Sequence, residues 1–210
     1  MNTPLPKGRA DAKPRNALDA GHPLAPRLSL ALYPDKVLRT ICEPVDVFDS
    51  ALRDLTEEMF SLMQYHQGVG LAAPQVGVRR RLIVCSLGDC FLALTNFEVK
   101  DAAEPRDFSE GCLSLPGVHV NMRRPERIKV TGYDVRGQRR AFAAVGLWAR
   151  VIQHELDHLN GVLICDYAPP EAGKGVRCSL ELAAELVGKQ RHRSRPKRRR
   201  REQTHINSSL

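Results

Sequence analysis

The 210-residue sequence predicts an α+β protein: small mixed or antiparallel sheets around a central helix, with a C-terminal helix and a basic tail. Three observations lead there. Two segments, near 49–63 and 145–159, repeat apolar residues at three- and four-residue steps, as one face of a helix does. Short apolar runs bounded by turn residues lie at 81–85, 91–95 and 118–135. Strands and helices follow one another in mixed order, without the βαβ rhythm of a doubly wound sheet.

On the first helix, Leu52, Leu55, Met59, Leu62 and Met63 form the apolar stripe, with Asp49 or Ser50 as N-cap. The Gly-rich segment Gly68–Gly77 ends it. Arg81–Cys85 and Phe91–Thr95, separated by Leu87-Gly88-Asp89, read as a strand pair. Val118–Val135 alternates weakly, with Gly132 and Gly137 as punctuation. The second helix runs from about Val145 to Leu159, with Leu147, Val151 and Leu159 on one side. Asn160-Gly161 stops it, glycine being favoured just past a helix end. Strand-like Val162–Cys165 follows, Pro169 and Pro170 close the domain, and Ser179–Gln190 reads as a short amphipathic helix.

Composition sets the organisation: residues 1–27 form a disordered basic leader, 28–170 one catalytic domain, and 171–210 a C-terminal helix and basic tail. A hydrophobic content of 42% suffices for one core. No run of about 18 apolar residues exists, so no membrane span is expected. Met1–Arg27 lacks the apolar centre of a secretion signal, and Asp11 and Asp19 argue against an organelle transit peptide. The expected location is therefore the cytoplasm. Cys42, Cys85, Cys90, Cys112, Cys165 and Cys178 are scattered and form no CxxC pair, which fits free thiols in a reducing compartment. The net charge is +8, yet nine Lys or Arg and no acid fall between Leu186 and Arg201; subtracting them leaves the rest at −1. The basicity belongs to the tail, where like charges repel and keep a segment open to polyanions.

The sharpest chemical signal is His154-Glu155-Leu156-Asp157-His158. Histidines four residues apart project from one helix face and can hold one metal ion, while the intervening Glu155 can serve as general base. A catalytic metal needs a third protein ligand and an open position. His192 and His205 lie in the polar tail, and Glu181 and Glu185 on the tail helix. The other candidate is Cys112, within Glu110-Gly111-Cys112-Leu113-Ser114-Leu115-Pro116-Gly117; its thiolate would ligate Zn²⁺ or Fe²⁺, although a small buried residue is the plainer reading. The segment Gly68–Gly77 (GVGLAAPQVG) lacks the spacing of a phosphate loop. It is either a tight turn packed on the core or a backbone lining a narrow cleft, with Gln75 presenting an N–H to a reacting carbonyl.

Together, GVGLAAPQVG, EGCLSLPG and QHELDHLNG, in this order and separation, resemble the peptide deformylases. The likeness extends from Tyr33-Pro34-Asp35 and Val37-Leu38-Arg39, through Pro44-Val45, to Asp166, about two-thirds of the chain. It implies removal of the formyl group from the N-terminal methionine of nascent polypeptides, with release of formate. It implies Cys112, His154 and His158 as ligands of one divalent metal, Fe²⁺ natively, with Zn²⁺ or Ni²⁺ able to occupy the site. It implies Glu155 as acid/base, Gln75 and the Leu113 N–H as oxyanion donors, and Val69, Gly70, Gly111, Leu113, Leu147 and Val151 around the substrate. Glu110 and Arg124 are expected to pair and hold the Cys112 loop. Two positions depart from the pattern. His119 stands where many bacterial members carry Arg and is read as a cleft-edge residue, and Trp148 is bulkier than expected and is read as core packing. Some bacterial deformylases dock on the ribosome through a C-terminal helix, which suggests ribosomal RNA as a partner of this basic tail. Two other classes compete. A HExxH zinc endopeptidase requires a downstream third ligand in the folded domain. A basic RNA-binding protein requires basic residues across the body, which is near neutral.

Overall fold

The computed structural model describes residues 26–168. The C-terminal helix expected at Ser179–Gln190, Pro169 and Pro170, the leader and the basic tail lie outside the described residues.

Helix α1 spans Ser50–Tyr65, and Asp49 caps it, its side chain accepting from the Leu52 N–H. Leu52, Met59, Leu62 and Met63 are buried, as the apolar stripe predicts. Strands β1 (Gly70–Ala72), β2 (Leu82–Leu87), β3 (Cys90–Cys112), β4 (Leu115–Tyr133) and β5 (Arg139–Val145) pair antiparallel in sequence order. Helix α2, Leu147–Leu159, follows β5. The class is α+β with an antiparallel sheet.

Strand β2 explains how the layers meet. Its Leu82 and Val84 join the cluster that contains Met59, Leu62 and Met63 of α1. Its Ile83 and Cys85 join the cluster that contains Ala149, Val151, Ile152 and Leu159 of α2. Successive strand residues face opposite sides, so Leu82–Cys85 of β2 is buried on both faces between the two helices, and that stretch is a continuous apolar run. Trp148 packs against the α2 cluster, the core role expected of it.

Two expectations need correction, and two strands are additional. The strand expected at Val162–Cys165 is a 3-10 turn, Ile164–Tyr167, because the Asp166 carboxylate folds back to accept from the Leu163 N–H at 2.9 Å. Phe91–Thr95 is only the start of β3, which runs on to Cys112. Two strands, β1 and β5, were not foreseen.

Helix α2 ends as Asn160-Gly161 predicts. Gly161 takes φ +73°, its N–H bonds to the His158 carbonyl, and the Val162 N–H bonds to that of Asp157. This paired closure is the Schellman pattern. It fixes the end of α2 within one turn of His158. A side chain at Gly161 would also lie 2.8 Å from the Arg39 backbone.

Candidate active site

A cleft of about 330 Å³ opens where β1, the turn after it, the β3–β4 connection and α2 converge. Val69, Gly70, Gln75, Gly111, Cys112, Leu113, Leu147, Val151, His154 and Glu155 all line it. His158 does not line the cleft; it sits behind, 1% exposed.

The two histidines occupy adjacent turns of α2, with ring centroids 5.0 Å apart. The His158 Nε2 lies 3.2 Å from Cys112 Sγ, across from the end of β3. Ligand atoms of Cys112, His154 and His158 all lie within 4.8 Å of one another. One thiol and two imidazoles at this spacing form a donor set suited to a divalent ion of the zinc or iron type. The other side of the His154 ring is engaged, Nδ1 meeting Glu110 Oε2 at 3.1 Å, which leaves Nε2 toward the thiol. Glu155, 3% exposed, has a buried Oε2 with no partner among the described residues, and His158 Nδ1 likewise has none among them. An ion and its water facing Glu155 would satisfy a carboxylate oxygen that is otherwise costly to bury.

Burial pushes the Glu155 carboxyl up to about 7, against the opposing pull of His154 and Arg124. Burial alone would lower His154, but its contacts with Cys112 and Glu110 prevail and raise it well above the imidazole range. Burial and the neighbouring His154 charge hold His158 well below that range.

Gln75 is 1% exposed and fixed at both ends. Its Oε1 accepts from the Ala72 N–H at 2.8 Å, and its Nε2 donates to Ser114 Oγ at 3.1 Å and lies 3.7 Å from Cys112 Sγ. The amide N–H₂ is thereby aimed at the loop that carries the thiol. Of the two readings open for Gly68–Gly77, this is the cleft lining; the turn packing holds as well, since Leu71 and Ala73 are in the α1 cluster.

Residues 28–173 match the family described as polypeptide deformylase. The chain belongs to that family. A peptide deformylase of Picosynechococcus sp. is 42% identical over 156 residues, 71% of this chain and 83% of that one. The crystal structure of peptide deformylase from Thermotoga maritima is 42% identical with a TM-score of 0.66, covering 68% of this chain and 98% of that one. The structure of a peptide deformylase from Legionella pneumophila is 34% identical with a TM-score of 0.72, covering 80% and 99%. As a deformylase the chain is a hydrolase acting on the N-termini of peptides.

A largely buried ion network forms part of the deformylase cleft wall, where Glu110 and Arg150 line it. Glu110 pairs with Arg124 at 2.9 Å, as expected from the sequence. Arg150 adds a second contact to the same oxygen, Oε1, at 2.7 Å, and Arg124 also reaches Asp157 at 2.8 Å. Burial would push the Glu110 carboxyl up, but hydrogen bonds from His154, Arg124 and Arg150 outweigh it and hold it at about 2. A buried carboxylate is tolerable only when its oxygens are satisfied in this way. Sequence reasoning missed Arg150, Asp157 and Ser114. For Arg150 a signal existed: it stands four residues before His154 and shares its helix face. His119 is exposed and lines the cleft, opposite Gly111 in the β3–β4 register, which agrees with a cleft-edge residue.

No helix among the described residues is long and apolar enough to cross a membrane.

Proposed function

We propose that this chain hydrolyses the N-formyl group from the N-terminal methionine of newly made polypeptides in a metal-dependent reaction that releases formate. The observation that carries this reading is the convergence of Cys112, His154 and His158 beside a buried, unpartnered Glu155 oxygen in a deformylase cleft. Cys112, His154 and His158 would hold one divalent ion, natively Fe²⁺ with Zn²⁺ or Ni²⁺ as substitutes, which would supply Lewis acidity to the reaction.

The chain's own groups do the rest. Glu155 accepts a proton from the attacking water as the new C–O bond forms. The oxygen of the formyl carbonyl takes up negative charge, and Gln75 Nε2 and the Leu113 N–H donate to it; a donor so placed is worth about 3 kcal/mol in the transition state. Glu155 then passes the proton to the amine nitrogen as the C–N bond breaks, leaving formate and a free N-terminal methionine. Gly70 and Gly111 let the peptide backbone approach, and Val69, Leu147 and Val151 give the methionine side chain an apolar surround. Burial of Glu155 keeps solvent from competing for its proton.

The test is formate release from a formyl-Met tripeptide by the metal-loaded protein, with an acetyl-Met peptide and an internal peptide bond as comparators. Formate from the formyl substrate alone supports the reading. Cleavage of internal bonds, or no formate from protein carrying a full equivalent of metal, overturns it.

The same reading extends to the tail. The nine basic charges between Leu186 and Arg201 are proposed to tether the enzyme to ribosomal RNA near emerging chains. Deleting residues after Val187 should abolish salt-sensitive pelleting with ribosomes while leaving tripeptide hydrolysis intact. Unchanged pelleting removes the tail from the account.

A further inference from the structure

Along α2, Arg150, His154 and His158 follow one another at four-residue steps on one face. Arg150 is only 9% exposed, and its guanidinium is spent on β3. Nη1 donates to Glu110 Oε1 at 2.7 Å, Nη2 donates to the Arg106 carbonyl at 2.9 Å, and the group lies 5.0 Å from the centre of the Phe108 ring. Three points of β3, at positions 106, 108 and 110, are thus pinned by one side chain from the helix that carries both histidines.

Glu110 is the hinge of this arrangement. Its Oε1 receives two donors from different elements, Arg124 on β4 and Arg150 on α2, while its Oε2 faces His154 Nδ1. Arg124 divides its guanidinium between Glu110 and Asp157. Among the described residues Arg150 pairs with no acid other than Glu110. A carboxylate turns easily about its last bond, since such torsions have broad minima. Two donors converging on one oxygen set its plane and keep the other oxygen on the imidazole.

We propose that Arg150 is a positioning residue of the deformylase site: by bracing Glu110 from α2 and clamping β3 at Arg106, it fixes the carboxylate that orients His154 toward the metal. The inference rests on the reading of His154 as a ligand. Arg suits the task and Lys does not, because a planar fork holds a carboxylate and a carbonyl at once, whereas an ammonium is a single point. Outer partners of a metal-ligating histidine typically govern metal affinity by about 10- to 100-fold.

The experiment is zinc affinity by chelator competition, on purified full-length protein, for wild type, Arg150→Met, Arg150→Lys, Glu110→Gln and the Arg150→Met/Glu110→Gln double variant. His154→Ala is the control, and thermal melts identify any variant that does not fold. Arg150→Met is expected to bind zinc about 10-fold or more weakly, with Arg150→Lys between it and wild type. The double variant is expected to bind no more weakly than Glu110→Gln alone, because Arg150 acts through that carboxylate; a residue that merely supports the fold would add its effect. If Arg150→Met does not fold, Arg150→Lys carries the comparison. Wild-type affinity in the folded Arg150 variants, or full additivity in the double variant, overturns the proposal while His154→Ala still loses zinc. Undiminished zinc binding by His154→Ala overturns the ligand reading instead, and this inference with it.

Discussion

Gly70 and Glu155 stand so close that no side chain fits between them. A carbon added at Gly70 would lie 2.2 Å from Glu155 Oε1 and 2.7 Å from Val151 Cγ1. Gly70 opens β1, and its register against Cys85 holds that strand to β2; Glu155 is held by α2, which packs on both strands. The strand and the helix are held by their packing, so the free end of the Glu155 side chain is what gives way. Gly70→Ala is therefore expected to fold but to displace the Glu155 carboxylate. A misplacement of about 1 Å in a catalytic group can cost on the order of 10²-fold in rate. The check is kcat of the metal-loaded variant beside its melting temperature. An unchanged kcat would mean that the Glu155 position seen here is not the one the reaction requires.

Glu155 itself gives the complementary experiment. It lines the cleft and keeps a buried oxygen that has no partner among the described residues. Glu155→Ala should keep the fold and the metal and lose turnover by about 10²- to 10⁴-fold, the usual worth of general acid/base work. Metal content measured on the same sample as formate release separates loss of chemistry from loss of the ion. Near-normal turnover in a loaded sample would remove Glu155 from the mechanism.

The helices and the candidate site on α2 were legible because both write a short-range period. Leu52, Met59 and Leu62 mark a buried face, and His154 and His158 share one at the same spacing. The sheet was legible only in part. β1 has three residues, too few to show alternation. The outer half of β3 is polar and exposed, and its pairing with β4 is broken at Thr95/Glu98, Lys100/Ala103 and Gly111/Cys112. Asn96, Asp101 and Glu104 take positive φ at or beside the first two breaks, so the two-residue period is lost where a reader would look for it. Asn96 makes one break useful, its side chain bonding both the N–H and the carbonyl of Val45 at 2.8 Å. For Arg150 the helix face was legible but the burial was not. An arginine in a helix is ordinarily solvent-facing, and what buries this one is Glu110, forty positions away in sequence.

Cys112 is the candidate ligand that comes from outside α2. It ends β3, and its Sγ faces His158 Nε2 and the Gln75 amide. Cys112→Ser exchanges a soft thiolate for a hydroxyl that does not ionise near neutral pH, so the variant should bind zinc markedly more weakly while Tm of the metal-free protein changes little. Chelator competition and metal-free melts test the two halves. A variant that holds zinc as tightly as wild type would assign the third ligand elsewhere.

The ends of the domain offer a prediction independent of metal. Asp166 closes the turn after α2: it accepts from the Leu163 N–H and pairs with Arg39, Oδ1 lying 2.9 Å from Nη2. Partial burial pushes this carboxyl up, but the hydrogen bond and charge of Arg39 and the Leu163 amide prevail and hold it below the ordinary carboxylate range. A carboxyl with a depressed folded pKa contributes stability above its unfolded value, near 3.9 for Asp, and loses it as the pH falls through the folded one. The Asp166 side chain is 39% exposed, so water screens the pair and its worth is on the order of 1 kcal/mol or less. Asp166→Asn should thus lower Tm at pH 7 by a few degrees at most. The gap to wild type should narrow as the pH drops below about 4, and 1 M salt at pH 7 should shrink it as well. Thermal melts of both proteins across pH 3 to 7 measure this, and a gap that stays constant over that range would show that Asp166 stabilises the turn through shape alone and not through its charge.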